Sequence, residues 1–163
     1  MHLLKTFFVF AILFPALSFQ KNSDTISVKP SFSAKLNGWN KTLDTLSATV
    51  TINNNTSGQL NFVSYLCDWQ KIFTIDSAYL FTEETICAKE GFKTITLQPH
   101  DSISYVLIIT SIKKYTQLKD LKFKIGFYYV TPASATDKDV LGEEETGFNS
   151  EKNIIWSNTL EIK

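Results

Sequence analysis

Arginine is absent from this 163-residue chain, and sixteen lysines face sixteen acidic residues, so the formal net charge is zero. A nucleic-acid binder needs a basic face to neutralise phosphates, and this composition does not supply one. Glycine and proline are scarce, at six and four residues. That excludes a collagen-like fibre and a low-complexity linker, and no Gly-rich phosphate loop is present. There are two cysteines, Cys67 and Cys87. They are too few for a disulfide-dense scaffold, they form no Cys-x-x-Cys motif, and zinc would need two further ligands. Long hydrophobic runs are also missing. The longest opens the chain at Phe7–Phe14 and reaches Leu17 only across Pro15, whereas a spanning helix needs about 20 apolar residues. Histidine occurs at His2 and His100 alone.

What is present begins with an address. Lys5 carries the one charge of a short leader, the apolar run follows, and Ala16 and Ser18 fit the small-x-small pattern before a signal-peptidase cut. Residues 1–18 are therefore expected to be a signal peptide, cleaved after Ser18. No cysteine lies near the cut, which argues against a lipid anchor. Residues 19–30 form an exposed lead-in, and 31–163 make one domain large enough to bury a core without metals. The expected location is extracytoplasmic: periplasmic, cell-surface or secreted. In such an oxidising compartment Cys67 and Cys87 are expected to form a disulfide. Closing a loop of about 20 residues would contribute on the order of 3 kcal/mol.

The dominant hydrophobic period is two. Leu46, Ala48, Val50 and Ile52 point one way, and Thr45, Ser47, Thr49, Thr51 and Asn53 the other. A helix would bring Thr49 and Asn53 into the core, so the strand template fits better. Further strands are expected over Ser31–Leu36, Leu60–Cys67, Lys71–Ile75, Phe92–Leu97, Ser102–Thr110, Lys122–Val130 and Asn153–Ile162. On the last of these, Ile154, Trp156, Leu160 and Ile162 are assigned to one apolar face. Asn53–Gly58 and Gln98–Asp101 carry turn chemistry, and Pro99 marks a strand end. A turn or two of helix fits Ser111–Leu121. About eight short strands imply an all-β, two-layer antiparallel β-sandwich. The connection at 131–152 is a long polar loop, of the kind that is often functional or disordered.

Leu97-Gln98-Pro99-His100-Asp101-Ser102 resembles the Leu-x-Pro-Gly-Glu/Asp-Ser corner of bacterial secreted immunoglobulin-like β-sandwich domains, with His100 in place of glycine. Phe123-Lys124-Ile125-Gly126-Phe127 and Trp156-Ser157-Asn158-Thr159-Leu160 resemble segments of small exported bacterial sandwich proteins. The resemblance implies an immunoglobulin-like sandwich. Because a family of bacterial proteinase inhibitors shares that style of fold, it also implies inhibition as one possible role. The cysteines lie only 20 positions apart, which departs from the antibody-type bridge.

Catalytic patterns are weak. His100, Asp101 and Ser102 are consecutive at a turn and cannot form a hydrogen-bonded triad. Glu83-Glu84 and Glu143-Glu144-Glu145 are linear acidic clusters, for which solvated loop charge is the default. Asp137, Asp139 and Gly142 match a calcium loop at positions one, three and six. Leu141 and Phe148 break it where oxygen ligands are required; a looser site on Asp137, Asp139 and Glu143–Glu145 stays open. Trp39, Trp69, Tyr128, Tyr129 and Trp156 are read first as strand packing, with Trp156 in the core and Tyr128 exposed, and second as a sugar- or partner-binding surface. The sequons at Asn40, Asn54 and Asn55 are read as turn residues.

The expected function is a non-catalytic binding or scaffolding module of the cell envelope. Its partner would be a protein or a surface glycan, with no cofactor, metal or nucleic acid. The candidate contact residues are Asp137, Asp139, Glu143, Glu144, Glu145 and Phe148. A proteinase inhibitor, and a carbohydrate-active or other hydrolase, are the alternatives.

Overall fold

A computed structural model of the chain describes residues 29–40, 42–83, 91–132 and 151–163. It is all-β with antiparallel sheets and one helical turn, compatible with the layered fold expected above. Strand β1 (Ser31–Asn40) pairs with β2 (Thr45–Asn53), and β2 pairs with β7 (Ser102–Ser111) through nine consecutive positions. The short β5 (Leu80–Thr82) closes this four-stranded sheet, whose order is β1-β2-β7-β5. β5 is a strand that the alternation did not reveal, because three residues are too few to show a period.

The remaining strands are shorter. β3 (Leu60–Tyr65) pairs with β6 (Phe92–Leu97). β9 (Ile125–Tyr128) lies between β4 (Phe73–Ile75) and β10 (Ile154–Trp156). β8 (Lys122–Phe123) pairs with β11 (Leu160–Glu161). The Val63 N–H donates to the Val130 carbonyl at 2.8 Å, so β3 runs beside the same chain path as β4. Between β3 and β4 the chain loops out over residues 66–72. A 3-10 turn at Trp69–Ile72 ends the excursion and returns Ile72 to full burial.

The core explains the strands. On β2 every second residue from Leu46 to Ile52 is buried, and Leu107 and Ile109 of β7 join them. These aliphatic side chains share one cluster with Phe62, Phe73, Phe123, Ile125 and Phe127 from the shorter strands. Phe32 of β1 stacks on Phe73 at 5.9 Å and tilts against Phe127 at 5.7 Å, bridging the two groups of strands. Fully burying one such side chain contributes about 1.5–3 kcal/mol. The Asn158 side chain also ties the groups together: it accepts from Ala34 N–H and donates to Ala34 C=O, each at 3.0 Å. An edge strand normally leaves such groups open to other chains.

One packing expectation is corrected. Trp156 is 42% exposed, not buried. It pairs with Gly126, whose neighbours Ile125 and Phe127 face the core, so Trp156 and Ile154 lie on the outward side and Ile155 on the inward side. Leu160 and Ile162 are nevertheless buried. The phase changes because the pairing slips by one residue between β10 and β11, from Trp156↔Gly126 to Leu160↔Phe123. A one-residue slip moves every later side chain to the other face. The helical turn is Tyr115–Leu118, with Leu118 buried but Ile112 exposed.

Candidate functional site

The β1–β2 hairpin shapes a concave surface at one end of the four-stranded sheet. Pairing in β1 shifts register between Leu36 and Gly38, which displaces Asn37 from the ladder. Asn37 is then fixed from its side chain: Nδ2 donates to Ser47 Oγ at 3.1 Å and Thr49 Oγ1 at 3.0 Å, and Oδ1 accepts from Thr49 Oγ1 at 3.1 Å. In the hairpin turn, Asn40 Oδ1 accepts from the Thr42 and Leu43 N–H groups at 3.0 and 3.3 Å, and Asp44 takes a left-handed conformation with φ of 50°.

An open groove of about 910 Å³ lies at this end of the sheet. Thr45, Ser47, Ile108 and Thr110, the outward residues of β2 and β7, form its floor. Asn37, Gly38, Asn40, Leu43 and Glu83 also line it, and Trp39, paired with the inward Leu46, reaches it from the core side. Volumes of roughly 300–1,000 Å³ are usual for small-ligand sites. Among the described residues Glu83 is the single carboxylate of the lining. Beneath it, Trp39 Nε1 and Thr110 Oγ1 are buried without a hydrogen-bond partner among the described residues.

The groove continues into the outward face of the sheet. There Ser31, Asn53 and Ser102 align across three strands, then Ser33, Thr51 and Ser104, then Lys35, Thr49 and Val106. Thr51 Oγ1 and Ser104 Oγ are 2.9 Å apart and hydrogen-bonded. Val106, Ile108 and Phe81 make an adjoining apolar strip, exposed by 56%, 40% and 47%.

The expected contact residues Asp137, Asp139, Glu143, Glu144, Glu145 and Phe148 lie outside the described residues, as do the signal segment, Glu84 and Cys87. Cys67 is exposed just after β3; no free cysteine occurs among the described residues. Asp68 is buried and pairs with Lys71 at 3.5 Å, beside the looped-out segment and not in the groove. No cluster of three metal-ligating side chains occurs among the described residues, and no helix there is long and apolar enough to cross a membrane.

His100 is exposed at the corner between β6 and β7, with φ of 65°. A histidine thus takes a left-handed conformation that favours glycine. Asn54 holds it there. Fully buried, Asn54 donates from Nδ2 to the carbonyls of Gly58, Leu97 and Gln98 at 2.7, 3.2 and 2.9 Å. Its backbone C=O accepts from His100 N–H at 2.9 Å and its N–H donates to Asp101 C=O at 2.8 Å.

Trp69 stacks on Tyr105 at 4.9 Å and meets Phe73 edge-on, while Trp39 packs on Tyr115 at 5.3 Å. Burial raises the Tyr105 and Tyr129 hydroxyls above their ordinary pKa. Tyr128 is half-buried against the core edge, not exposed. No sequence signal marked the groove: Asn37-Gly38 reads locally as a turn, yet both residues lie inside β1 at its register shift. Its lining from residues 83 and 108–110 is brought there only by strand pairing.

No protein-family model matches the chain, and none of the curated proteins matches it in sequence.

Proposed function

We propose that this protein is an exported, non-catalytic binding module: an immunoglobulin-like β-sandwich behind a cleaved leader, braced by a Cys67–Cys87 disulfide. The observation that carries the binding role is the groove beside Trp39, which combines aromatic, aliphatic, hydroxyl and amide groups with, among the described residues, one carboxylate. Such a lining orients a ligand without supplying a nucleophile and base. The antiparallel strands around one core, with Phe32 bridging the two groups, support the sandwich. The apolar run before Ser18 supports export.

The test is cross-linked capture from envelope extract. It compares the intact protein, the exposed-site variant Ile108→Glu and a deletion of residues 134–150, each verified as folded. Capture by the intact protein and the deletion, but not by Ile108→Glu, is the expected pattern. Loss only in the deletion would move the binding role to the long connection. Capture by none of the three would remove the support for a binding module. Export is checked by sequencing the mature N-terminus, expected at Phe19. The bridge is checked by alkylating the unreduced, denatured protein, where two labelled thiols would refute it.

A further inference from the structure

We propose that the outward face of β1, β2 and β7, together with the groove at its end, binds a neutral glycan chain. The inference rests on the binding-module reading and names its ligand class. The chain is 20% charged, and charges collect on surfaces. Yet across the aligned outward rows of these three strands Lys35 is the only charged residue. The rest are serine, threonine and asparagine, with Val106 and Ile108 at one end.

That chemistry selects among ligands. An anionic ligand needs cations, and among the described residues no lysine lines the groove, which carries Glu83. Protein hot spots are built from Trp, Tyr and Arg, and Ser, Thr and Val are under-represented in them. A pyranose chain complements what is there. Its rim of hydroxyls exchanges neutral hydrogen bonds with the Thr45, Ser47 and Thr51 hydroxyls, and its C–H faces cover the exposed Val106 and Ile108. From Thr45 to Asn53 the β2 ladder runs about 27 Å at the antiparallel rise per residue, long enough for several sugar rings. The groove seats one ring and the ladder carries its neighbours.

The test is isothermal titration of the purified full chain with cellohexaose, xylohexaose, mannohexaose, maltohexaose and polygalacturonate, at low and high salt. At least one neutral hexaose is expected to bind, more tightly than its own monosaccharide. Raising the salt should leave its affinity unchanged, because no ion pair is screened. Ile108→Glu and, independently, Thr49→Glu should each weaken it at least tenfold. Trp156→Ala, on the outward side of β10, should leave it unchanged. Thermal melts establish that each variant is folded.

Absence of binding by every neutral hexaose would overturn the proposal. So would preference for polygalacturonate, or loss in Trp156→Ala with retention in Ile108→Glu. A concentration-dependent dimer abolished by Ile108→Glu would assign the face to a second copy of the chain and overturn it too. If the sugars fail while envelope capture still depends on Ile108, the glycan inference falls and the binding module stands. If capture fails as well, both fall.

Discussion

The β1-β2-β7-β5 sheet and the shorter strands contribute to one core by different means. The first keeps register over long stretches, with β2 and β7 paired through nine positions, and its inward side chains on β1 and β2 include Ala34, Ala48 and Val50. The second is broken into pairs of two to six residues by a loop-out at 66–72 and a slip between β10 and β11. Its inward side chains include Phe62, Phe73, Phe123 and Phe127, beside aliphatics such as Leu60 and Ile125. Small residues on one face admit large rings from the other, and that interdigitation fills the space between them. Regular pairing thus goes with an open, hydroxyl-rich outward face, and irregular pairing with the aromatic centre of the core.

If that contrast holds, the rings carry more stability than the regular strands. Phe127 is fully buried among Phe32, Phe62, Phe73 and Tyr129. Phe127→Ala should destabilise by about 3–5 kcal/mol and Ile52→Val by about 0.5–1.5 kcal/mol, both measured by urea unfolding. Equal losses would break the comparison.

The turns that link the two groups come next. Asn54 serves both connections, and Asn54→Ala leaves buried carbonyls unpaired, at roughly 1–3 kcal/mol. A smaller effect would mean that the corner holds itself.

The irregular group can also be probed from its outward side. A Cβ on Gly126 would lie 2.6 Å from Ile154, 2.8 Å from Thr74 and 2.9 Å from Trp156. Gly126→Ala should therefore destabilise by about 1–3 kcal/mol, the range for overpacking. Adding Trp156→Ala should recover part of the loss, a coupling that a double-mutant cycle reads directly. His100→Gly should act in the opposite direction, stabilising by up to about 1 kcal/mol as the left-handed strain is relieved.

The smallest effect is in alkaline solution. Burial holds the Tyr105 and Tyr129 protons above the ordinary tyrosine value of 10.0. The unfolded chain ionises first, so this stability is fully present below that value and is lost as pH rises through the folded pKa. Tyr105→Phe should flatten the decline in melting temperature above about pH 10, the tyrosine range.

Much of this was legible in the residues. The β2 alternation from Leu46 to Ile52, the β6 limits at Phe92 and Leu97, and the turns at Asn53–Gly58 and Gln98–Asp101 all follow from local pattern. The β5 strand, the splitting of Lys122–Val130 at Lys124, and the exposed Trp156 did not. A strand of two or three residues is defined by its partner, and a slip in pairing is invisible in a single strand's own period.

The groove was not legible in local pattern. Asn37-Gly38 reads locally as a turn yet lies inside β1 at its register shift, and Glu83, Ile108 and Thr110 are distant in sequence and carry no motif.

The sequence by itself determined the β class, the core face of β2 and the turns at Asn53–Gly58 and Gln98–Asp101, because side-chain alternation and turn chemistry are local. Only the tertiary structure decided which strands share an edge, where the pairing slips and which surface is left concave. Those depend on register between segments far apart in the chain, and no single segment's pattern contains it.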